Sequence, residues 1–355
     1  MALFGKKKGL VGVDIGSSAI KVVELKQGGK GGAEYQLVNI GIEPLPPEAI
    51  VDGAIMDSGA VIDAIQRLFG AQKIKTSDVA TSVSGNAVIV KKISLPQMTP
   101  EELQESIHWE AEQYIPFDIQ DVAIDYEVIE GSGSGGNMDV LLVAVKKDKI
   151  SDYTSAITQA GKSPQVVDVD VFALQNCYEI NYGVDPGRVT ALLNVGASIM
   201  NINIVKGGSS IFNRDIAVGG NQYTDAVQKE LNLSFDQAEA LKRGGRVEGV
   251  ASDNLHPILQ AVSENIALEI QKTFDFFKAT SSEDRIDGIF LSGGSAKVHG
   301  LRELLAERFE AGVDLLNPFN SITYNPRDFD PDFINEIAPQ AAIAVGLAVR
   351  KVGDR

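Results

Sequence analysis

The sequence predicts an α/β protein made of two related lobes with a smaller α+β unit inserted into the first. Three observations support this fold class. The chain has 355 residues, which is too long for one compact core and suits two lobes of ordinary domain size. A strand-turn-strand pattern occurs twice, once around Gly16 and once around Gly196. A third glycine-rich turn, at Gly293, follows an apolar run that is typical of a buried strand.

The composition indicates a globular protein with an acidic surface. Apolar residues make up 44% of the chain and charged residues 23%, which is the ordinary range for globular domains. The formal net charge of -16 repels phosphate backbones, so we do not expect nucleic acid as the main partner. Three consecutive lysines at 6–8 could contact anionic lipid, but such a short run near a terminus is more often a solvated tail.

Cysteine usage and hydropathy predict a cytoplasmic protein. The single cysteine, Cys177, excludes an internal disulfide framework, and its apolar neighbours at helical spacing favour a place in the core. No apolar run approaches the ~20 residues that cross a bilayer. The first residues lack the apolar region of a signal peptide. We therefore expect any membrane role to come through a partner.

The repeated segment predicts two matching β-hairpins. Residues 10–25 read LVGVDIGSSAIKVVEL, and residues 191–205 read ALLNVGASIMNINIV. In both copies, alternating apolar runs flank a turn of small residues. Two unrelated hairpins can look alike, but the identical placing of an acid or amide, a glycine and a serine favours a duplication. The matching positions are Asp14 with Asn194, Gly16 with Gly196, and Ser18 with Ser198.

The two turns have the composition of anion-binding sites. Glycine lets the backbone approach a ligand, and the amides and hydroxyls that follow can point at one anion. Lys21 lies on the strand that leaves the first turn and could reach the same phosphates. Two such hairpins facing each other would grip a polyphosphate from both sides. The candidate phosphate-contacting residues are Gly16, Ser17, Ser18, Lys21, Asn194, Gly196, Ala197 and Ser198.

Two further glycine pairs are candidates for the same ligand. In the stretch GIFLSGGSAKVHG, which begins at residue 288, a strand leads into Gly293, Gly294 and Ser295, and a helix is predicted from about Leu301. Such a turn permits close packing of a flat ring or a phosphate, although most Gly-Gly turns are merely tight turns. A second pair, Gly219 and Gly220, precedes a helix predicted at 223–231. It could present the amides of that helix N-terminus.

These four elements, in this order, resemble those of the actin, sugar-kinase and chaperone ATPase superfamily. The resemblance implies an actin-like ATPase fold with two ribonuclease-H-like lobes. It assigns the two hairpins to the phosphates of ATP and the stretch from residue 288 to its adenosine. The closing stretch QAAIAVGLAVRK, from Gln340 to Lys351, resembles the helix that packs at the hinge. Residues 238–242 resemble the segment that FtsA-like members place beside the adenosine, which implies that Glu239 and Lys242 contact ribose or base.

The match sharpens to the PilM family of the type IV pilus assembly platform. The opening FGKKKGLVGVDIGSSAIKVVELK and the stretch SLPQMTPEELQESIHWEAEQYIPF at 94–117 closely resemble that family. The resemblance spans essentially the whole chain, and the second stretch is the more specific one. It implies a cytoplasmic scaffold, peripheral to the inner membrane, that binds the N-terminal tail of the bitopic membrane protein PilN and links it to the motor and other platform proteins. The resemblance leaves self-association open.

The same comparison implies limits for the subdomains. The expected limits are 1–79 with 166–186 and 340–355 for the first lobe, 80–165 for the inserted unit that would bind the partner, 187–225 with 284–339 for the second lobe, and 226–283 for a small helical subdomain.

Within the inserted unit, Thr99, Pro100 and Glu102 form a capping box that predicts a helix running to about Tyr114. Strands are predicted on each side of a glycine-serine loop at 131–136. A groove between this unit and the first lobe could take an extended or partly helical peptide. The aromatic and apolar cluster of the unit is either core or groove, and core is favoured for most of its members, which are Trp109, Tyr114, Ile115 and Phe117. Farther along, the apolar spacing at 257–279 predicts one long helix with a buried face.

The residues predict weak catalysis. Asp14 can hold Mg²⁺ directly or through water. Asn194 stands where the superfamily usually has an aspartate, and an amide supplies no charge to a metal site. Asp170 either stands near the attacking water, as the resemblance implies, or is a helix N-cap. We therefore expect ATP to fix the angle between the lobes, with slow or negligible hydrolysis.

Two alternatives remain at the sequence level. An FtsA-like cell-division filament protein would share the phosphate motifs but end in an amphipathic membrane-targeting helix, whereas this chain reads LAVRKVGDR after the connecting helix. A small-molecule kinase of the same superfamily would need a catalytic base in a polar substrate pocket, for which no motif is present. Activity against panels of small molecules distinguishes that class.

Overall fold

The computed structural model describes residues 9–28, 34–129 and 136–354. The lysine run at 6–8 and residues 131–135 of the glycine-serine loop lie outside these ranges. In the described part of the chain, no helix combines the length and the apolar character needed to cross a membrane.

Strands and helices alternate along most of the chain. The strands are β1 Val11–Ile15, β2 Ala19–Gly28, β3 Glu34–Pro44, β4 Ile50–Val51, β5 Ala54–Ile55, β6 Asp78–Val83, β7 Val88–Pro96, β8 Val122–Ile129, β9 Asn137–Lys146, β10 Ser163–Val169, β11 Val189–Val195, β12 Met200–Lys206, β13 Ser209–Ile216, β14 Gly288–Ser292, β15 Val313–Leu315 and β16 Ile322–Thr323. The helices are α1 Ser58–Ala71, α2 Pro100–Glu112, α3 Lys147–Gln159, α4 Asp170–Tyr182, α5 Gly220–Leu231, α6 Phe235–Lys242, α7 Ser252–Thr280, α8 Leu301–Phe309, α9 Pro331–Ile337 and α10 Ala342–Ala348.

Two large sheets share one topology. The first has the order β10-β6-β1-β2-β3-β16 and the second β13-β12-β11-β14-β15. In each sheet, three antiparallel strands (β1-β2-β3 and β11-β12-β13) continue into two parallel ones (β6-β10 and β14-β15). Both predicted hairpins are therefore confirmed, and the sheets repeat strand for strand. The added strand β16 pairs with β3, so part of the segment expected in the second lobe joins the first sheet.

Helices α4 and α10 lie between the two sheets and share one core with both. Cys177 of α4 is fully buried there, as predicted, together with Leu192 of the second sheet and Val23 of the first. Helix α10 is shorter than the predicted span of 340–351, because a 3-10 turn occupies Ala338–Ala341 and the helix ends at Ala348. A buried ion pair between Arg350 and Asp168, with a nitrogen-oxygen distance of 3.2 Å, holds the chain after it.

The small residues of α10 allow backbone-to-backbone contact at this junction. A Cβ on Gly346 would overlap the carbonyl oxygen of Ala173 in α4. A Cβ on Gly12 in β1 would overlap the carbonyl oxygen of Ala344. The predicted close packing of this small-residue helix is confirmed, and its place at a hinge stays a prediction.

The inserted unit has its own sheet and core. Strands β7, β9 and β8 form a three-stranded antiparallel sheet against which α2 packs. The capping box at Thr99 is present, and α2 ends two residues before the predicted Tyr114. Ile115 is buried and Tyr114 and Phe117 pack against the same core, as favoured above. Trp109 is the exception, since its side chain is 76% exposed. The strands that flank the unit, β6 and β10, belong to the first sheet.

Two helices start earlier than the sequence predicts. Helix α5 begins at Gly220 because the preceding loop packs directly on the second hairpin. Helix α7 begins at Ser252 and continues across Pro257, where the buried side chains of Leu255 and Leu259 anchor it on both sides of the proline. The predicted apolar face of α7 is buried as expected: Leu259, Val262, Ile266, Ile270, Phe274 and Phe277.

Candidate functional site

The two hairpin turns have the same backbone geometry. In the first turn the amide of Gly16 donates to the carbonyl oxygen of Ala19 over 3.2 Å. In the second the amide of Gly196 donates to the carbonyl oxygen of Ile199 over 3.0 Å. Each turn spans four residues between the last pairs of its strands. The sequence match thus corresponds to a real match in three dimensions.

The first turn contains a buried ion pair. Asp14 and Lys21 are direct cross-strand partners, and the Lys21 ammonium lies 3.1 Å from the Asp14 carboxylate. The same ammonium lies beneath the turn, 2.7 Å from where a Cβ of Gly16 would stand. A cation fixed under a glycine turn attracts an anion above it. The half-buried Ser17 and the exposed Ser18 complete the turn.

The second turn has a neutral pair at the same two positions. Asn194 and Asn201 are cross-strand partners, and the Asn194 amide donates to the Asn201 side-chain oxygen over 2.8 Å. Neither side chain brings a formal charge to the turn. The predicted weakness of Asn194 as a metal partner therefore extends to its neighbour on the opposite strand.

Helix α5 is docked on the second turn by its first amides. The amide of Gly220 donates to the carbonyl oxygen of Gly196 over 2.9 Å, and that of Asn221 to Ala197 over 2.8 Å. The Asn221 side chain also donates to the Ser198 hydroxyl over 3.2 Å. The Gly220 amide is thus already used inside the protein, so the expectation that it is offered to a ligand is wrong, whereas the role of Gly219 stays a prediction. The glycine pair instead permits this close approach.

The third glycine turn lies against the second hairpin and the hinge. The Ser295 amide donates to the carbonyl oxygen of Val195 over 3.1 Å, and its hydroxyl donates to that of Gly196 over 3.2 Å. Gly293 has a φ of 92° and donates its amide to Pro339 over 2.7 Å. Gly294 is exposed, with the Gln340 side chain 3.7 Å from its would-be Cβ. A flat ring can approach the backbone there.

Glu239 and Lys242 form an ion pair at the start of α5. The Lys242 ammonium donates to the Glu239 carboxylate, to the Thr224 hydroxyl over 3.0 Å and to the Gly220 carbonyl oxygen over 3.3 Å. Burial alone would raise the pKa of Glu239, but the charge and hydrogen bonds of Lys242 outweigh it and lower the pKa. The structure thus brings both residues to the second turn and the third glycine turn.

Asp170 lies close to the first turn, at the first residue of α4. The N-cap of that helix is Val169, so the alternative interpretation of Asp170 as an N-cap is wrong. The Ser82 hydroxyl donates to its carboxylate over 2.6 Å. Burial raises the pKa of Asp170, the nearby Asp14 charge adds to the rise, and hydrogen bonds from Ser82 and Ser84 oppose it, so that the pKa is about 6. Such a carboxyl exchanges a proton near neutral pH.

Sequence reasoning missed two charged residues beside this site, the half-buried Asp215 and the buried Lys149. Asp215 accepts a hydrogen bond from Asn201 over 2.8 Å and one from the Gly85 amide over 2.6 Å. Lys149, the third residue of α3, donates to the Gly53 carbonyl oxygen. Burial raises the pKa of Asp215 and lowers that of Lys149. Neither residue stands in a glycine motif, and only their tertiary contacts reveal them.

The site is thus a set of glycine turns at the facing ends of two sheets. The first turn is charged, with Asp170 beside it, and the second is neutral, with the third glycine turn and the Glu239–Lys242 pair around it. Within the described ranges, no three histidine, cysteine or acidic side chains converge closely enough to hold a metal by themselves. A divalent ion here would need oxygens that a ligand or water supplies.

The comparisons with known proteins agree on the architecture. The sequence model of the family described as type IV pilus assembly protein PilM matches residues 12–352. The cell division protein FtsA of Pseudomonas aeruginosa is 24% identical over an alignment of 362 positions. The alignment covers 90% of this chain and 85% of FtsA.

Solved structures show the same fold. A chain of a PilM-PilN type IV pilus biogenesis complex superposes with a TM-score of 0.86 at 27% identity, over 98% of this chain and all of its own length. MreB5 of Spiroplasma citri bound to ADP superposes with a TM-score of 0.52 at 13% identity, over 96% of this chain and 94% of MreB5. The fold is the actin-like ATPase fold predicted from the sequence, and the chain belongs to the PilM family of type IV pilus assembly proteins.

Proposed function

We propose that this pilus assembly protein binds ATP with Mg²⁺ between its two lobes and uses the nucleotide to set the lobe angle. The observation that carries the proposal is the pair of geometrically matched turns, of which the first has a half-buried lysine whose ammonium lies against Gly16. An MreB5 with the same fold has been solved with ADP. The exposed Gly294 offers a surface for the adenine ring, and Glu239 and Lys242 lie near enough to that turn to contact the ribose or base.

The residues fit a magnesium ion only together with the nucleotide. Asp14 is the carboxylate closest to the first turn, but it already pairs with Lys21. Mg²⁺ prefers an octahedron of oxygens and usually keeps several waters, so Asp14 with phosphate oxygens and water is a suitable set. Bound there, the ion would neutralise phosphate charge.

Slow hydrolysis is part of the proposal. Phosphoryl transfer relies on positioned charge and an aligned nucleophile. The second turn supplies only the neutral Asn194–Asn201 pair, so it brings no positioned charge to the phosphates, even though a pKa of about 6 suits Asp170 to act as a base. A single-turnover assay with ATP and Mg²⁺ tests this. We expect a rate below roughly 1 s⁻¹, the low end of ordinary kinases, and a faster rate would contradict the scaffold role.

We further propose that the inserted unit, within residues 80–165, binds the cytoplasmic tail of a PilN-like membrane protein. The related structure was solved as a PilM-PilN complex. A cavity of about 150 Å³ lies where the insert meets both lobes, lined by Val88, Ile89 and Val90 of β7, by Val169 and Val171, and by Asn213, Arg214 and Asp215 of β13. Strands β7 and β13 are edge strands of their sheets, so each has one open backbone edge. An extended peptide can pair with such edges.

A binding assay with a matched pair of variants tests the peptide site. Titration of a fluorescently labelled PilN-tail peptide should show saturable binding, and a scrambled peptide should not. Val90→Glu places a charge in the cavity and should weaken binding at least tenfold. Val128→Glu makes the same change on β8, the opposite edge of the same sheet, where the side chain is 41% exposed. Equal loss in both variants would contradict the placement of the peptide.

Through this partner the protein would stand at the inner face of the cytoplasmic membrane and connect it to the motor. Co-fractionation tests that step: we expect the protein to sediment with membranes only when the PilN-like partner is present. Sedimentation without the partner would contradict attachment through it.

A further inference from the structure

A continuous chain of hydrogen bonds joins the second hairpin turn to the insert. It begins at Asn194, which lies two residues before Gly196. The side-chain amide of Asn194 donates to the side-chain oxygen of Asn201 over 2.8 Å. Asn201 donates to one oxygen of Asp215 over 2.8 Å. The Gly85 amide donates to the other oxygen over 2.6 Å. Gly85 lies between β6 and β7, where the chain enters the insert.

Asp215, the acceptor at the end of the side-chain part of this chain, fixes the direction of each of these hydrogen bonds. Both oxygens of the Asp215 carboxylate accept hydrogen bonds, so Asn201 must face it with its NH₂ group. The carbonyl oxygen of Asn201 then faces Asn194, which must answer with its own NH₂ group. An aspartate at 194 would set two acceptors against each other. This explains why an amide occupies the position where the superfamily usually has an acid.

Asp215 stands where three parts of the molecule meet. It belongs to β13 of the second lobe, it lines the cavity, and it holds the chain that leads into the insert. Asn201 is 1% exposed and Asp215 is half-buried, so water has limited access to the hydrogen bonds that Asn201 makes. Contact between the lobes is close here, since the Ile199 side chain lies 3.0 Å from a Cβ built on Gly85.

We propose that Asp215 is a positioning residue that couples the nucleotide turn to the peptide cavity. The proposal rests on the proposed function, because it assumes that both ligands bind. A shift of the second turn pulls on Asn201 and Asp215, and Asp215 in turn moves the entry of the insert and one wall of the cavity. Since linkage is reciprocal, peptide binding must change nucleotide affinity by the same factor as nucleotide changes peptide affinity.

The test measures that factor in three proteins. Calorimetry gives the affinity for ATP, with Mg²⁺, in the absence and presence of saturating PilN-tail peptide. In the wild type we expect the two affinities to differ at least fivefold, the lower end of typical coupling. Asp215→Asn keeps the shape but can accept with only one oxygen, and we expect the factor to fall below about twofold. Because the factor is a ratio of two affinities of the same protein, it does not require either ligand to bind as tightly as it binds the wild type.

Asp287→Asn is the matched control. Asp287 also accepts a backbone amide, that of Val189 over 2.8 Å, at the far end of the same sheet from the turn. We expect it to keep the wild-type coupling factor. If Asp215→Asn couples as strongly as Asp287→Asn, or if the wild type binds both ligands without coupling, the proposal is overturned. If the wild type binds neither ligand, the proposed function fails, and the proposal with it.

Amide exchange tests the hydrogen-bond chain without any ligand. Exchange of the Gly85 amide, followed by NMR, should be at least tenfold faster in Asp215→Asn, which weakens its acceptor. Asn194→Asp lies two hydrogen bonds away and should also speed it, because the opposed acceptors disturb Asn201. Asp287→Asn should leave it unchanged. An unaltered Gly85 amide in Asn194→Asp would show that the bonds do not act as a unit.

Discussion

The two hairpin turns are alike in backbone and opposite in electrostatics. Both close with an amide-to-carbonyl bond of 3.0–3.2 Å at the same place. The first then places a buried Asp14–Lys21 ion pair across its strands, and the second places two asparagines there. The charged pair lies against its own turn, where the Lys21 ammonium can attract an anion. The neutral pair instead donates a hydrogen bond, through Asn201, to Asp215, which lies away from the turn.

This difference teaches that a duplicated motif can keep its shape and divide its work. A buried ion pair must be compensated locally, because separated charges are costly in a low dielectric. Amides are under no such constraint and can pass a hydrogen bond from one neighbour to the next. The first turn is therefore suited to gripping phosphate, and the second to transmitting a change of position.

The largest predicted difference between the turns is in nucleotide affinity. Lys21→Met removes the cation beneath the first turn and leaves Asp14 unpaired, so we expect at least a 100-fold weaker affinity for ATP, about 3 kcal/mol. Asn201→Leu, the change at the equivalent position of the second hairpin, should cost less than about threefold. Calorimetry on both variants, with thermal melts as the folding control, measures this. Similar losses would remove the distinction between the turns.

The loss of stability when alanine replaces a glycine should be larger at the second turn than at the first. A Cβ on Gly219 would stand 2.6 Å from the carbonyl oxygens of both Ala197 and Gly196, and neither backbone atom can move freely. On Gly16 it would meet chiefly the flexible end of Lys21. We expect Gly219→Ala to lower the free energy of unfolding by about 2–3 kcal/mol and Gly16→Ala by about 1 kcal/mol. Urea titration decides the order, and a larger loss in Gly16→Ala would contradict it.

The charge around the first turn should make stability depend on pH. The pKa of Asp170 is about 6 in the folded protein against 3.8 as its ordinary value. Folding therefore favours the protonated carboxyl, and this stabilisation is complete below pH 4 and lost as the pH rises through 6. Asp170→Asn mimics the protonated form. We expect it to be about 1–2 kcal/mol more stable than the wild type at pH 8 and equal to it near pH 4.

Urea titrations at the two pH values provide the measurement for this prediction. A constant difference between the proteins at pH 4 and pH 8 would show that the burial of Asp170 has no electrostatic cost. Asp63→Asn on α1, where the aspartate is exposed, is a control that should show no such trend.

The smallest predicted difference concerns the paired serines. The Ser198 hydroxyl already accepts a hydrogen bond from Asn221, whereas Ser18 is exposed on the charged turn. We expect Ser18→Ala to weaken ATP binding about 3- to 10-fold, the net value of one ordinary hydrogen bond that stays open to water. Ser198→Ala should change it less than about twofold. Calorimetry that ranks Ser198 above Ser18 would indicate that the second turn holds the phosphates.

The sequence was sufficient for the repeat and insufficient for the contacts between repeats. Alternating apolar residues and glycines fix a hairpin locally, so β1-β2 and β11-β12 were predictable from the pattern alone. The use of the α5 amides was not, because it depends on how closely Gly220 approaches the carbonyl oxygen of Gly196. Asp215 was missed for the same reason. Its partners, Asn201 and Gly85, come from different parts of the chain.

Local composition also does not decide where a single side chain lies. Trp109 has the apolar character of a core residue, but its position on α2 turns it away from the sheet, while Leu103, Ile107 and Ala111 fill the core. Pro257 is a usual helix start, yet α7 begins before it because tertiary packing of neighbouring leucines outweighs one lost backbone bond.

The placement of the hydrophobic cores has a consequence for how the molecule comes apart. Both large sheets share the core around α4 and α10, so the unfolding of either lobe would expose apolar side chains of the other lobe to water. The insert has a separate core around Leu103 and Leu142. The protein should therefore contain two cooperative units of unequal size, and the smaller one can open while the larger stays folded. A scaffold built this way can rearrange the binding surface on its insert while the two lobes stay folded.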